Sequence, residues 1–370
     1  MKKKTILVFI YQMGAGGAAR TLLNIINNLD RTNFNPILVT LNYNGSYEKD
    51  LKSDVKFIKL KTERLRWAIF PLAKIIRKER ADIVFSTIPN YNIVAIFANL
   101  LSFSHAKNVI READNLGGNF FFNLKLQIYG LIYKKSSQII SLSEGVKENL
   151  IRRYKIRRKD IKVIYNPVDL KDIRNKTITG SVSSDHISLF KGEEKIVITA
   201  GRLVEQKDHK TLLHAFAKVN EQVRSKLIIL GEGPLKDILI KEAEQLNIQD
   251  RVFFIGFQRN PYIYFKQADL FVLTSIHEGF SHVIAEALAT GIPVVSTDCK
   301  SGPREVLSDG KYGILCRVGD VDGIAKSMLK MLAYNNDQIR KIVDNGYKRA
   351  EDFDAKQIVK EYENVFLQTT

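Results

Sequence analysis

Along the first 170 or so residues, short apolar runs bounded by turn formers alternate with longer stretches whose apolar positions recur every three or four residues. The runs are TILVFI, PILVTL, VKFIKL, DIVFST, KNVIRE, QIISLS and IKVIYN. Unbroken runs of this length read as strands buried on both faces, and the amphipathic stretches between them as crossover helices. A doubly wound parallel α/β sheet follows. After Asn166-Pro167-Val168-Asp169 the periodicity fades, and residues 170–193 are polar, rich in Ser and Thr, and end in Lys-Gly-Glu-Glu, as a linker does. A second series then runs KIVITA, KLIILG, RVFFIG, LFVLTS, PVVSTD and YGILCR. The expected division is a first domain over 1–169, a linker over 170–193 and a second domain over 194–354, with a last helix over 355–370. Ligands of doubly wound sheets bind beyond the carboxyl ends of the strands, so the loops of both domains are expected to face one cleft.

Length agrees with this division, because 370 residues exceed what one core usually supports. Charge adds a constraint. Lys and Arg number 57 against 40 Asp and Glu, and 57 − 40 = +17 implies a polyanionic partner: nucleic acid, an anionic membrane surface or a phosphorylated substrate. No nucleic-acid-binding module is recognisable, so nucleic acid is not expected, although a basic nucleic-acid-binding protein is the non-enzyme alternative. Cys299 and Cys316 lack metal-ligand spacing and read as buried thiols of a cytoplasmic protein. The opening MKKKTILVFIYQMGAGGAA imitates a secretion signal, but Gln12 and the glycines fit a buried strand entering a glycine-rich turn. The apolar run near 93–101 is too short to cross a bilayer and contains Asn99. A soluble or peripheral protein is expected.

The densest chemistry lies in SIHEGFSHVIAEALATGIPVVSTD, residues 275–298, which reads as strand end, turn, helix, turn and strand. Glu278, Gly279, Phe280 and Ser281 fall in the turn, where the opening amides of a helix point outward with the positive end of its dipole behind them. An anion belongs there. Ser281 is the candidate N-cap, and Glu286, further into the helix, can accept hydrogen bonds from a second part of the same ligand. A phosphate between two sugar rings fits. After the strand ending at Ala200, Gly201-Arg202-Leu203 and then Lys207 place two cations within reach of one diphosphate, a planar fork and a point charge. Gly231-Glu232-Gly233-Pro234 closes another strand.

Gly14-Ala15-Gly16-Gly17-Ala18-Ala19 formally satisfies a dinucleotide fingerprint, which raises an oxidoreductase. That chemistry needs an acid at the end of the second strand; here the strand ends Val39-Thr40-Leu41-Asn42-Tyr43. Asp320-Val321-Asp322 imitates a metal-binding pair but opens a helix, where Asp is a favoured cap, and no metal site is expected.

The Glu-Gly-Phe-Ser turn with Glu-Ala-Leu-Ala beginning at Glu286, together with Gly16-Gly17-Ala18-Ala19-Arg20, ITAGRLVEQKD (198–208) and LIILGEGP (227–234), resembles the family 4 retaining glycosyltransferases along most of the chain. The resemblance implies the GT-B architecture, two doubly wound Rossmann-like domains facing across a cleft, with the last helix crossing back onto the first. It also implies that the first domain, 1–169, binds the acceptor and the second, 194–354, the nucleotide-sugar, with transfer from a nucleoside-diphosphate sugar, most simply a UDP-sugar, with retention and without metal or other cofactor. In its terms Arg202 and Lys207 hold the donor diphosphate, Glu278 orients donor-sugar hydroxyls and Glu286 binds the ribose. Gly16 and Gly17 admit backbone amides to the donor phosphate or the acceptor. Relatives often have a histidine where this chain has Ala113, so that role is not carried over; Arg111 or Asp114 are the candidates to substitute, unless they form a surface ion pair. A 2-epimerase or a phosphorylase on the same frame is the enzyme alternative, although no pyridoxal-binding lysine can be located.

Basic and aromatic residues intermingle at Arg64, Arg66, Trp67, Phe70, Lys74, Arg77, Lys78 and Arg80, and again at Phe120, Phe121, Phe122, Lys125, Tyr129, Tyr133, Lys134 and Lys135. This suits helices lying on an anionic membrane, and equally aromatics in a core beneath a solvated basic face. The first reading goes with a glycan acceptor on a polyprenyl diphosphate at the inner face of the cell membrane.

Overall fold

The computed structural model describes residues 3–14 and 16–369. All the apolar runs form strands. The first series gives β1 Lys4–Phe9, β2 Phe34–Thr40, β3 Lys56–Lys59, β4 Ile83–Thr87, β5 Lys107–Glu112, β6 Gln138–Ser141 and β7 Ile161–Val163. They make one sheet in the order β3-β2-β1-β4-β5-β6-β7, parallel throughout. The second series gives β8 Lys195–Ala200, β9 Ser225–Leu230, β10 Val252–Gly256, β11 Leu270–Leu273, β12 Val294–Thr297 and β13 Ile314–Cys316. Their order is β10-β9-β8-β11-β12-β13, again all parallel. Helices cover both faces, which is why Ile6, Leu7, Val8 and Phe9 are fully buried in succession. Each sheet reverses its strand order once, at β1/β4 in the first and β8/β11 in the second.

The chain forms two compact units, residues 1–168 with 354–370, and Asp169–Phe353. The stretch 170–193 carries structure of its own in the second unit. Asp169 caps the helix Leu170–Thr179 by accepting from the Asp172 amide at 2.9 Å, and Ile173 is buried. A 3-10 segment, Ser184–Phe190, follows, with the His186 ring against Tyr264 and the Leu189 carbonyl accepting from Lys226. One buried isoleucine, a ring contact and a few hydrogen bonds seat a stretch whose composition is that of a connector.

The helix Ala355–Thr369 belongs to the first unit, where Tyr362 and Phe366 set their rings 5.7 and 5.4 Å from Phe85. Arg111, on β5, is fully buried and not in a surface ion pair; it donates to Tyr362 Oη at 3.1 Å, to Thr87 Oγ1 at 2.9 Å and to Asn166. Its partners are all neutral. The adjacent Glu112 is also fully buried and accepts from Tyr133 Oη at 2.8 Å, and burial lifts its carboxyl to about 8.

The two basic, aromatic stretches divide. Tyr133 is fully buried, stacked on Tyr154 at 5.6 Å, whereas Trp67, Phe70, Phe120 and Phe121 are exposed. The helix between them, Pro89–Ser102, ends in exposed Leu100 and Leu101, with Phe103 beyond at 84% exposure. No described helix is long and apolar enough to cross a membrane.

Candidate functional site

In the second unit, the loops after β8 and β11 meet where the strand order reverses. The Ile276 amide donates to the Gln206 carbonyl at 2.8 Å, Gln206 Nε2 returns a bond to the His277 carbonyl at 2.9 Å, and Thr274 Oγ1 donates to the carbonyls of Lys207 and Asp208. This stitching brings Lys207 to Glu278. Lys207 Nζ lies 2.5 Å from Glu278 Oε1, which also accepts from Ser275 Oγ at 2.6 Å. Both charged side chains are largely buried, Glu278 at 7% exposure, so the pair is poorly screened and an anion arriving beside it meets an ammonium already held in place.

Arg202 is on the same loop but exposed, its side chain making no ion pair or hydrogen bond among the described residues. The glycines around it are required by space: a Cβ at Gly231, where φ is +135°, would lie 1.9 Å from the Gly201 carbonyl oxygen, and one at Gly233 2.4 Å from that of Leu203. The loops after β8 and β9 therefore touch backbone to backbone.

The turn before the helix His282–Thr290 is strained. Ser281 stands at the N-cap position with φ +66° and ψ +57°, left-handed for a residue with a Cβ, and its side chain forms no cap. The expected cap is thus replaced by a buried Oγ with no hydrogen-bond partner among the described residues. Gly302 holds the turn from behind, since a Cβ there, at φ +86°, would meet the Phe280 carbonyl carbon at 2.7 Å. Phe280 is buried edge-on to Phe353 at 5.1 Å.

Glu286 lies one turn into that helix, 6% exposed, in a different setting from Glu278. Tyr262 Oη donates to its Oε1 at 2.9 Å, and His282 Nε2 stands 3.5 Å from the same oxygen. Sequence reasoning missed Ser275, Tyr262 and His282. The His282 contact had a signal, the four-residue helical spacing; Tyr262 had none. Cys299 is buried near the pair, and burial, reinforced by Glu278, pushes its thiol up to about 12, so it is neutral. Asp320 caps the helix Val321–Leu332 by accepting from the Gly323 amide at 2.9 Å, and Asp322 pairs with Lys218.

In the first unit Gly16 and Gly17 are exposed at the start of the helix Gly17–Asn28. Gly16 is extended, φ −141°, and a Cβ at either glycine would meet nothing within 4 Å. Neither the backbone at Gly16 nor packing at either position demands glycine here.

The family described as Glycosyl transferases group 1 matches residues 183–349, and Glycosyltransferase Family 4 matches 15–172. A Campylobacter jejuni protein, N-acetylgalactosamine-N,N'-diacetylbacillosaminyl-diphospho-undecaprenol 4-alpha-N-acetylgalactosaminyltransferase, is 31% identical over 369 residues, covering 96% of this chain and 97% of its own. The lipopolysaccharide 1,6-galactosyltransferase of Salmonella typhimurium is 25% identical, covering 90% and 92%. Among solved structures, Anabaena HepE in complex with UDP-glucose superimposes with a TM-score of 0.82 at 20% identity, covering 98% and 99%. One family match falls on each half of the chain and a relative is matched along nearly its whole length, so the chain belongs to the family 4 glycosyltransferases of GT-B fold.

Proposed function

We propose that the protein transfers a sugar from a UDP-sugar, with retention of configuration and without a metal, to a glycan carried on a polyprenyl diphosphate in cell-envelope glycan synthesis. The observation that carries this reading is the ion pair of Lys207 and Glu278 beside the start of a helix. The departing diphosphate develops negative charge, and Lys207, Arg202 and the amides of Gly279, Phe280 and Ser281 stabilise it. Two cations, Lys207 held by Glu278 and Arg202 exposed on the same loop, do the work a divalent ion does elsewhere. Glu278, held by Ser275 and Lys207, orients the hydroxyls of the donor sugar, and Glu286, held by Tyr262, takes the ribose. Gly16 and Gly17 leave backbone open to a phosphate or to the acceptor.

The acceptor hydroxyl attacks the anomeric carbon on the face the diphosphate leaves. A bond forms to the acceptor oxygen, the bond to the phosphate oxygen breaks, and a phosphate oxygen takes the hydroxyl proton. The lipid-linked acceptor named for the Campylobacter relative and the UDP-glucose of the Anabaena structure favour these choices of acceptor and donor. Attachment at the inner face of the cell membrane has its own support. Trp67, Phe70, Leu100, Phe103, Phe120 and Phe121 are all exposed, and the helices Ile69–Lys78, Pro89–Ser102 and Phe120–Tyr133 contain no acidic residue.

The test is donor screening: incubation with UDP- and GDP-sugars, following nucleotide release with and without membrane extract. Release from one UDP-sugar that rises with extract and persists in EDTA is expected; release only from a GDP-sugar, or only with added manganese, would overturn the donor or the mechanism.

A further inference from the structure

The first sheet reverses its strand order at β1 and β4, so the loops beyond the carboxyl ends of these strands and of neighbouring β2 form its ligand-binding edge. That edge is aromatic. Tyr11 lies just past β1, Tyr43 just past β2, and Tyr91 in the first turn of the helix that follows β4. The Tyr11 and Tyr43 rings are 4.5 Å apart at 40°, and Tyr91 is 6.0 Å from Tyr11 at 52°. All three are half-buried, resting on the core that contains Phe9, Leu41, Leu60 and Leu72.

The arrangement is built before any ligand arrives. The Leu41 amide donates to the Tyr11 carbonyl at 3.0 Å, and the Asn42 amide to that of Thr62 at 3.0 Å. The Tyr47 amide donates to the Met13 carbonyl at 2.8 Å, and Gly45 passes so close that a Cβ would lie 2.4 Å from Met13 backbone. The Arg20 guanidinium donates to Tyr47 Oη at 2.8 Å and lies over its ring, clamping the same loop to the first helix. The loop carrying Tyr43 is thus pinned at both ends, and ordering it on binding costs little. Tyr43 hydroxyl and burial raise the Tyr11 phenol to about 12, so it stays neutral. Asn42 and Asn44 are exposed beside Tyr43, donors and acceptors at the rim.

We infer that Tyr11, Tyr43 and Tyr91 form a platform for a neutral pyranose ring, the terminal sugar of the acceptor glycan. The inference rests on the glycosyltransferase reading for the word acceptor, though not for the ligand class. Aromatic faces carry negative charge density, and the C–H-bearing side of a pyranose is weakly positive and apolar; the sugar's hydroxyls then lie outward, toward carboxamides. The cation at that rim, Lys59, is already engaged, donating to Asn44 Oδ1 at 2.9 Å and pairing with Glu48 at 2.8 Å.

Saturation-transfer NMR on the full chain, with methyl N-acetyl-α-galactosaminide, methyl α-galactoside and methyl α-glucoside as probes and no nucleotide present, reads this site directly. Transfer to the ring protons of at least one probe is expected. Tyr43→Leu keeps an apolar side chain against the core but no ring, and should weaken that probe about tenfold, whereas Tyr43→Phe should bind within about twofold of the parent. UDP affinity, measured by calorimetry, should be unchanged in both. Equal binding by a folded Tyr43→Leu variant, or no transfer to any of the probes, would overturn the platform and leave the rings as a cover for the core. Sugar binding in a protein that fails to bind UDP would sink the donor reading while supporting the platform.

Discussion

Both units wind a parallel sheet outward from one reversal point, yet the loops at those two points could hardly differ more in chemistry. In the second unit they bring together Lys207, Glu278 and Ser275, a buried ion pair beside a strained helix start. In the first they bring together the rings of Tyr11, Tyr43 and Tyr91. Topology decides where a ligand goes, and the loop residues decide what it is. A charged leaving group needs preset charge, whereas a neutral ring needs area and shape.

The comparison breaks most sharply at Glu278. Glu278→Gln should keep the fold and most UDP affinity but lower turnover about a hundredfold or more, because it weakens a contact that matters as charge develops; near-normal transfer by a stable variant would remove Glu278 from the chemistry. Next come the cations. Lys207→Ala and Arg202→Ala should each weaken UDP binding about tenfold, more for Lys207, whose loss leaves a buried carboxylate unpaired, and calorimetry in EDTA should give the same affinities as with magnesium. If Arg202→Ala binds UDP as the parent does, one cation carries the clamp alone.

A third, smaller effect tests whether the units also differ on their outer surfaces. In the second unit the exposed large apolar side chains are scattered at Ile178, Ile187, Ile238, Ile276 and Tyr347; in the first all but Leu367 gather on three helices and their ends. Trp67→Ser, Phe103→Ser and Phe120→Ser together should cut binding to anionic vesicles several-fold, about as much as replacing Lys125, Lys134 and Lys135 with Gln. Undiminished sedimentation with vesicles in both variants would assign these side chains no part in attachment.

The smallest effect concerns buried carboxyls. Glu278 has a cation, but Glu112 has tyrosine, and burial lifts its carboxyl from the ordinary 4.5 to about 8. The folded state therefore holds this proton more tightly than the unfolded chain, so the stabilisation is complete below pH 4.5 and is lost as the pH rises to about 8. Glu112→Gln should flatten the fall in melting temperature between pH 5 and pH 8; an unchanged slope would mean that Glu112 is already ionised in the folded protein.

The strands were readable because each is an apolar run stopped by turn formers, a signal that needs no tertiary information. Arg202 and Lys207, on one loop, were readable together, but joining them to Glu278 took the resemblance, since the two loops are far apart in sequence. What escaped was of two physical kinds. Ser281 takes a left-handed conformation that its residue type argues against, and Arg111 is a guanidinium buried among neutral partners, which charge alone would send to the surface. Tyr133 and Phe121 sit on one helix, yet one is core and the other exposed; Tyr133 stacks on Tyr154 and bonds to Glu112 and Asn92, contacts that only the folded chain supplies.

The helix Ala355–Thr369 supplies Tyr362 to Arg111 and its rings to Phe85, although residues 169–353 all belong to the other unit. On the ribosome, the second unit is therefore complete in sequence and free to fold while the first still lacks an element. Throughout that interval Arg111 has lost one of its acceptors and Phe85 a cover, so the nascent first half exposes the kind of surface that chaperones hold. A chain interrupted before residue 355 would remain in that condition and be open to proteolysis, and the unit that folds last is the one whose beginning was made first.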